Sequence, residues 1–503
     1  MKETSGPAGF RAALQDAVRR TFHRGLQVWP TALLLALILI LALPAAWLLA
    51  PAFVGPPTVA APAVPAWQQA PASLSARQGL SPLTDSAPVP LPSAVAEQLE
   101  PVLKPDGGGT FTGLVQDALT GQVLFDRSGS ENRIPASNMK LLTAVAALRA
   151  LGPDERFTTK VVAGSSPDQV VLTGGGDVLL GTGESLPDEV MGHAGLATLA
   201  ASTVAALKED GATGELKVLV DDSLFSGPPL NPAWAEGDVQ AGEVAPLFPL
   251  ALNSARFDPA ITTGPRPQDS AVTAAEAFAA QLKARGAAAG LTVATGVGRY
   301  TATGTEPDTG TAAPAVLAEV QSATVGEQVD LMLQTSDNYL AEVLGRMAAA
   351  AQGQPASNEG ATATVRAQLA ELGIPTDTMH LADVSGLALD NQVSARQFAE
   401  VVRAITSGTD LRLRAALAGF PVAGVTGTLD TRYGDSSTAR GAGLVRAKTG
   451  TLNSVIALSG YVVDADGRLL VFSFIGNGLT PGAGGNKEAL DRAATALAAC
   501  GCR

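Results

Sequence analysis

Ile134-Pro135-Ala136-Ser137-Asn138-Met139-Lys140-Leu141-Leu142-Thr143 reads as the entrance of a helix that carries a serine and a lysine three residues apart. Pro135 stands where a first-turn proline is favoured, and Met139, Leu142, Val145, Ala146 and Leu148 then recur at helical spacing. Ser137 and Lys140 therefore fall on one face, with Cβ atoms about 5–6 Å apart. At that separation a deprotonated Lys140 amine can take the hydroxyl proton of Ser137, which by itself is too weak a nucleophile at neutral pH. Ordinary amphipathic helices also show this spacing by accident, and only the rest of the chain separates the two cases.

Two further short motifs follow. Ser336-Asp337-Asn338 interrupts a helical pattern that runs over 325–335 and resumes with Leu340, Val343 and Leu344, and Lys448-Thr449-Gly450 closes a strand-like run over 444–449. Acyl transfer from a peptide needs a nucleophile, a base, a donor for the leaving amine, and dipoles where the carbonyl oxygen becomes negative. Ser137 would attack, with Lys140 as its base. Lys448 is a second cation, expected to disfavour the charged form of Lys140. Ser336 can relay a proton to the leaving nitrogen, and the amide of Asn338 can hold the substrate backbone. Lys448 and Thr449 can bind a terminal carboxylate, while Gly450 suits a strand that a substrate must approach closely. The oxyanion donors would be the backbone N–H groups of Ser137 and Thr451. Asp337 has no obvious chemical step and can equally be a helix cap.

Composition excludes other chemistries. The three histidines, His23, His193 and His380, lie far apart and no G-x-S-x-G elbow is present, which argues against a Ser-His-Asp hydrolase. Cys500 and Cys502 are separated by one glycine. A ring between them would be strained, and no second pair exists to form a metal cage, so neither a metal nor a cofactor is expected. With 34 Lys and Arg against 47 Asp and Glu the net charge is −13, which argues against a nucleic-acid partner.

A chain of 503 residues suggests two or three domains. Residues 1–30 hold five basic against two acidic residues and read as a cytoplasmic terminus. Residues 31–54 are apolar and long enough to span a bilayer, which makes them a retained anchor or, as the rival reading, a signal segment. The Pro- and Ala-rich stretch 55–95 reads as a semi-extended linker. Strands are expected at 110–117 and 122–126 around a turn at Ala118-Leu119-Thr120-Gly121. The span 165–320 changes character and reads as an inserted domain, with strands at 169–172 and 217–220 and helices at 194–207 and 274–283. Within it, Gly174-Gly175-Gly176-Asp177 is expected to be a tight turn, since no P-loop lysine follows. Further on come a helix over 394–405 capped by Ser394, an antiparallel set at 444–449, 454–463 and 468–475, and a closing helix over 486–499.

Ser137-x-x-Lys140, Ser336-Asp337-Asn338 and Lys448-Thr449-Gly450, in this order, are the recognised signature of penicillin-binding proteins and class A β-lactamases, a known pattern that this chain matches. Over most of residues 100–500 the chain resembles the D-alanyl-D-alanine carboxypeptidase/endopeptidase family of low-molecular-mass class C penicillin-binding proteins. The likeness extends to the Gly174–Asp177 run, Asp383-Val384-Ser385-Gly386-Leu387, Pro421-Val422-Ala423-Gly424-Val425-Thr426-Gly427-Thr428-Leu429 and Lys448-Thr449-Gly450-Thr451-Leu452. Val384 stands where a glycine is common and Thr426 where an acidic residue is common. Ser137 and Ser336 are 199 residues apart, an interval that by resemblance fits the family's large insertion and exceeds that of class A β-lactamases.

The resemblance implies an α/β (α+β) transpeptidase fold of the penicillin-binding-protein/β-lactamase type, an antiparallel sheet with helices. The catalytic domain would comprise 96–164 and 321–503, interrupted by the insertion at 165–320. It further implies a β-lactam-sensitive serine D,D-peptidase without cofactor. Such an enzyme removes the terminal D-Ala of peptidoglycan stem peptides, or cuts their cross-links, through an acyl-enzyme on Ser137, and takes β-lactam antibiotics as covalent inhibitors. Its catalytic region would lie outside the cell membrane. The alternatives are a serine β-lactamase and a catalytically silent, membrane-tethered peptidoglycan-binding protein.

Overall fold

The structure, a computed structural model, describes residues 86–301 and 314–502. The basic terminus, the anchor expected at 31–54 and most of the linker lie outside the described residues. Among the described residues no helix is long and apolar enough to cross a membrane. Residues 86–95, assigned by composition to the linker, are packed: Val95 is buried in the short helix Pro92–Leu99, and the Leu91 N–H donates to the Cys502 carbonyl at 2.7 Å. Cys502 is disulfide-linked to Cys500.

The described strands are, in chain order, β1 (Gly108–Asp117), β2 (Val123–Arg127), β3 (Asn132–Arg133), β4 (Arg156–Ala163), β5 (Gln169–Thr173), β6 (Gly214–Asp221), β7 (Leu291–Val293), β8 (Gly298–Arg299), β9 (Val316–Thr324), β10 (Val393–Ser394), β11 (Arg446–Leu452), β12 (Val455–Val463) and β13 (Leu469–Thr480). One sheet, antiparallel throughout, has the order β11-β12-β13-β1-β2. Its first hairpin turns where expected, because the Asp117 carboxylate accepts the Thr120 N–H at 2.7 Å and Gly121 supplies a φ of 74°. The strand period of two gives this sheet two apolar faces. Along β13, Leu470, Phe472 and Phe474 join the core under the helices Pro92–Leu99 and Lys487–Ala499, while Val471 and Ile475 face the opposite core.

That opposite core surrounds the helix Met139–Ala150. Every residue from Met139 to Leu148 is buried, Lys140 and Thr143 included, so the helix is not amphipathic but enclosed on all sides. The helices Val325–Thr335, Asn338–Ala351, Asn358–Glu371 and Ala395–Ser407 pack around it. Ser394 caps the last of these in a reciprocal box with Gln397, as its sequence position suggests. A polar line pins the helix mouth to the sheet: Asn138 donates to Ser459 Oγ at 2.7 Å, and Ser459 donates to Ser473 Oγ at 2.7 Å.

The second sheet has the order β7-β6-β5-β4-β9, with β8 also paired to β6. It is mixed, antiparallel at β4 and parallel from β5 to β6. The helices Leu196–Glu209 and Ser270–Gly286 complete its core with Leu199, Phe278 and Leu282. The Gly174–Asp177 run is not the tight turn its sequence suggests but a packed segment with a bend at Gly176: a Cβ on Gly175 would sit 2.0 Å from the Thr158 carbonyl oxygen, and Asp177 accepts the Leu179 N–H at 2.9 Å. Fully buried Tyr339 ties this region to the enclosed helices, its hydroxyl meeting the Phe248 N–H at 3.1 Å and Ser270 Oγ at 2.9 Å.

Leu142 is fully buried in the central helix. Leu142→Ala is expected to cost about 2–5 kcal/mol in urea unfolding; a loss under about 0.5 kcal/mol, the range of a surface change, would contradict the enclosed placement.

Candidate active site

Ser137 lies in a short 3₁₀ turn, Ala136–Asn138, and the α-helix starts only at Met139. The turn begins with Ala136 in the left-handed region at φ 49°, a conformation that a non-glycine residue keeps only when its surroundings impose it. The same holds for Ser336, at φ 59°, which ends the helix Val325–Thr335. Asp337 then caps the helix Asn338–Ala351 by accepting the Leu340 N–H at 3.0 Å, and it pairs with Arg256 at 2.8 Å. The two serines thus sit at strained helix boundaries.

Lys140 holds these elements together. Its fully buried Nζ donates to Ser137 Oγ at 3.1 Å, to Asn338 Oδ1 at 2.6 Å and to the Ser385 carbonyl at 2.7 Å. Burial draws its pKa down to about 8, against the pull of Asp383, Asp337, Glu342 and Glu243. Desolvation, rather than the second cation Lys448 that the motif spacing points to, is the leading cause. The two buried amines also repel each other, and burial and then the Lys140 charge hold Lys448 well below its ordinary value. Lys448 Nζ donates to Ser336 Oγ at 2.9 Å and to the Thr449 carbonyl at 2.8 Å.

Strand β11 is the edge of the antiparallel sheet, and it passes so close to the Ser137 turn that a Cβ on Gly450 would lie 2.9 Å from the Pro135 carbonyl oxygen and 3.2 Å from the Ser137 nitrogen. A glycine is required there for contact with the nucleophile turn itself. Thr449 Oγ1 meets Thr428 Oγ1 at 2.7 Å. Both ends of the Asn338 amide are engaged, Oδ1 by Lys140 and Nδ2 by the Glu243 carbonyl at 3.0 Å. Two spaces open beside Ser137. One, of about 440 Å³, reaches Ser336, Thr449 and Thr451; the other, of about 510 Å³, reaches Asp238, Leu387 and Leu452. Among the described residues no group of side chains could hold a metal ion.

The D-Ala-D-Ala carboxypeptidase 3 (S13) family model matches residues 95–269 and 260–497. The chain belongs to this peptidase family. A carboxypeptidase DacB of Mycolicibacterium smegmatis is 36% identical over 493 residues, covering 96% of this chain and 98% of that protein. A carboxypeptidase of Mycobacterium tuberculosis is 35% identical, covering 88% and 91%. The crystal structure of penicillin binding protein 4 (dacB) from Haemophilus influenzae superposes with a TM-score of 0.59 at 23% identity over 81% of this chain and 98% of that one, which shows a shared fold.

In this S13 member the sequence motifs do not account for the loop that seats Lys140. Asp383 accepts from Trp234 Nε1 at 2.9 Å, Asn391 Nδ2 at 2.7 Å and the N–H groups of Gly386 at 2.8 Å and Ala388 at 2.7 Å. Glu342 Oε1 accepts the N–H groups of Val384 at 3.1 Å and Ser385 at 2.8 Å, which turns the Ser385 carbonyl toward Lys140. Gly386, at φ 87°, lies against the Ser137 turn, where a Cβ would meet the Ala136 carbonyl oxygen at 2.0 Å. The two departures from the family pattern are accommodated locally. Val384 is buried against Gly345, and Thr426 Oγ1 accepts the Val422 N–H at 3.0 Å.

Burial, followed by the Asp383 charge, raises the Glu342 carboxyl to about 7 from its usual 4.5. A carboxyl with a raised folded-state pKa holds its proton more tightly folded than unfolded, so the stability it contributes at low pH is lost as pH climbs through this window. Relative to Glu342→Gln, the wild type should lose on the order of 3 kcal/mol between pH 4.5 and about 7. Parallel stability curves for the two proteins in urea would contradict it.

Proposed function

We infer that the protein is a serine D,D-peptidase that hydrolyses the D-Ala-D-Ala ends, the cross-links, or both, of peptidoglycan stem peptides through an acyl-enzyme on Ser137. The observation that carries this is the buried Lys140 amine at 3.1 Å from the Ser137 hydroxyl. In its neutral form, Lys140 takes the Ser137 proton as Oγ bonds to the carbonyl carbon of the penultimate D-Ala. The negative oxygen that forms is received by the backbone N–H groups of Ser137 and Thr451; loss of one such donor typically costs about 10²–10³ in rate. The C–N bond then breaks, and the departing amine takes a proton relayed through Ser336, whose hydroxyl accepts a hydrogen bond from Lys448 Nζ at 2.9 Å. Water hydrolyses the ester in a second passage over the same groups.

Fully buried Lys448 stands behind Ser336 and Thr449 and holds both through its hydrogen bonds, while the Thr449 hydroxyl makes the contact with the substrate carboxylate. Gly450 lets β11 close on the Ser137 turn, and the substrate strand lies along the edge of β11 beside it. Asn338 retains a second amide hydrogen for the substrate backbone after its bond to Glu243. β-Lactams enter as acylating inhibitors of Ser137. The apolar run at 31–54, preceded by five basic residues within 1–30, supports a membrane anchor that leaves the catalytic region outside the cytoplasm.

Ser137→Ala is expected to abolish both covalent labelling by a fluorescent penicillin and release of D-Ala from a pentapeptide. Labelling that persists in that variant would put the nucleophile elsewhere. In the wild type, the rate of penicillin acylation should climb about tenfold per pH unit and level off above about 8, as Lys140 loses its proton. A rate that keeps rising toward 10.5 would show an amine with its ordinary basicity.

A further inference from the structure

Of the two spaces beside Ser137, only the 440 Å³ one is lined by Ser336 and Thr449. If Ser336 passes the proton to the departing amine, the leaving group occupies this space and the acyl chain lies in the other. The leaving side is basic in a chain of net charge −13: Arg256, Arg266, Arg432 and Lys487 line it against Glu243 and Asp337. Two of those cations are already matched, Arg256 by Asp337 at 2.8 Å and Arg432 by Asp491 at 2.5 Å.

Arg266 is different. It is 8% exposed, and its guanidinium donates only to main-chain carbonyls, those of Gly242, Ser254 at 2.8 Å and Thr262 at 3.4 Å. Among the described residues no carboxylate forms an ion pair with it, nor with exposed Lys487 at the rim. A buried charge is normally paired, and a guanidinium with three of its five N–H groups engaged keeps two for a carboxylate. The space is also of a size that takes drug-sized ligands, and a departing alanine would leave most of it empty.

Resting on the peptidase reading of Ser137, we propose that this space is a subsite for a leaving strand with a carboxylate remote from its amine. Arg266 and Lys487 bind that carboxylate, and the enzyme favours cross-links over free D-Ala-D-Ala ends. Bond making and breaking are those already given; only the amine that departs is larger. A single terminal D-Ala cannot use both the Thr449 site and Arg266, whereas the second strand of a cross-link can.

The test compares the full chain, Arg266→Gln and Lys487→Gln on three substrates, with fluorescent penicillin labelling of each protein in parallel. The substrates are a pentapeptide, a cross-linked dimer whose leaving strand ends in a free carboxylate, and the same dimer amidated at that carboxylate. The wild type should cut the free-acid dimer about tenfold or more faster in kcat/KM than the amidated one, and both variants should erase that preference. Their losses on the free-acid dimer should exceed their losses on the pentapeptide by a similar factor. Equal losses on pentapeptide and dimer would assign Arg266 to the ordinary terminal carboxylate, and indifference of the wild type to amidation would remove the subsite; either overturns the proposal. A wild type that takes penicillin but cuts no peptide would sink the peptidase reading, and the subsite with it. Should Arg266→Gln lose penicillin labelling through misfolding, exposed Lys487→Gln decides.

Discussion

Everything in this molecule converges on an amine that has been taken out of water. Lys140 Nζ is fully buried, yet it meets three oxygens from three separate parts of the chain: Ser137 Oγ, Asn338 Oδ1 and the Ser385 carbonyl. Those acceptors satisfy the hydrogens of a charged amine, while burial favours the neutral form, and the balance leaves the group near the pH at which it can give and take a proton. An amine in water would be too strong a base to be found unprotonated; one without acceptors would be too costly to bury.

The architecture follows from keeping that amine in place. The helix carrying Lys140 is enclosed by other helices, the Ser137 turn before it lies against β11 and β12, and its mouth is held to β12 and β13 by Asn138, Ser459 and Ser473. Gly450 and Gly386 let two neighbouring segments reach the Ser137 turn more closely than any side chain would allow. The long region between Ser137 and Ser336 is no passive appendage. It sends Trp234 to Asp383, the Glu243 carbonyl to Asn338 and Arg256 to Asp337, so it braces both the lysine-seating loop and the serine-bearing helix junction.

Much of this was legible in the sequence. Ser137, Lys140, Ser336, Asn338, Lys448 and Gly450 declare themselves because acyl transfer needs those groups and the chain spaces them in three compact motifs. The strands β1, β11, β12 and β13 declare themselves through alternation and turn residues. What stayed hidden are contacts that spacing does not encode. Glu342 resembles any helical glutamate until it is seen to receive two backbone N–H groups from a loop some forty residues away. Arg256 and Arg266 lie in a stretch without catalytic spacing, and the left-handed backbone at Ala136 and Ser336 is imposed by packing on residues that do not ordinarily adopt it. The leading source of the Lys140 shift was hidden for the same reason: a sequence shows that two lysines recur, but not that both are buried.

The most direct test of the account is the titration of Lys140 itself, followed by NMR on protein labelled with ¹³C at the lysine ε-carbon, with Lys140→Arg to assign the signal. A midpoint near 8 is predicted. A midpoint at the ordinary 10.5 would mean that the amine is solvated and charged, and it would contradict the placement on which the rest of the account is built.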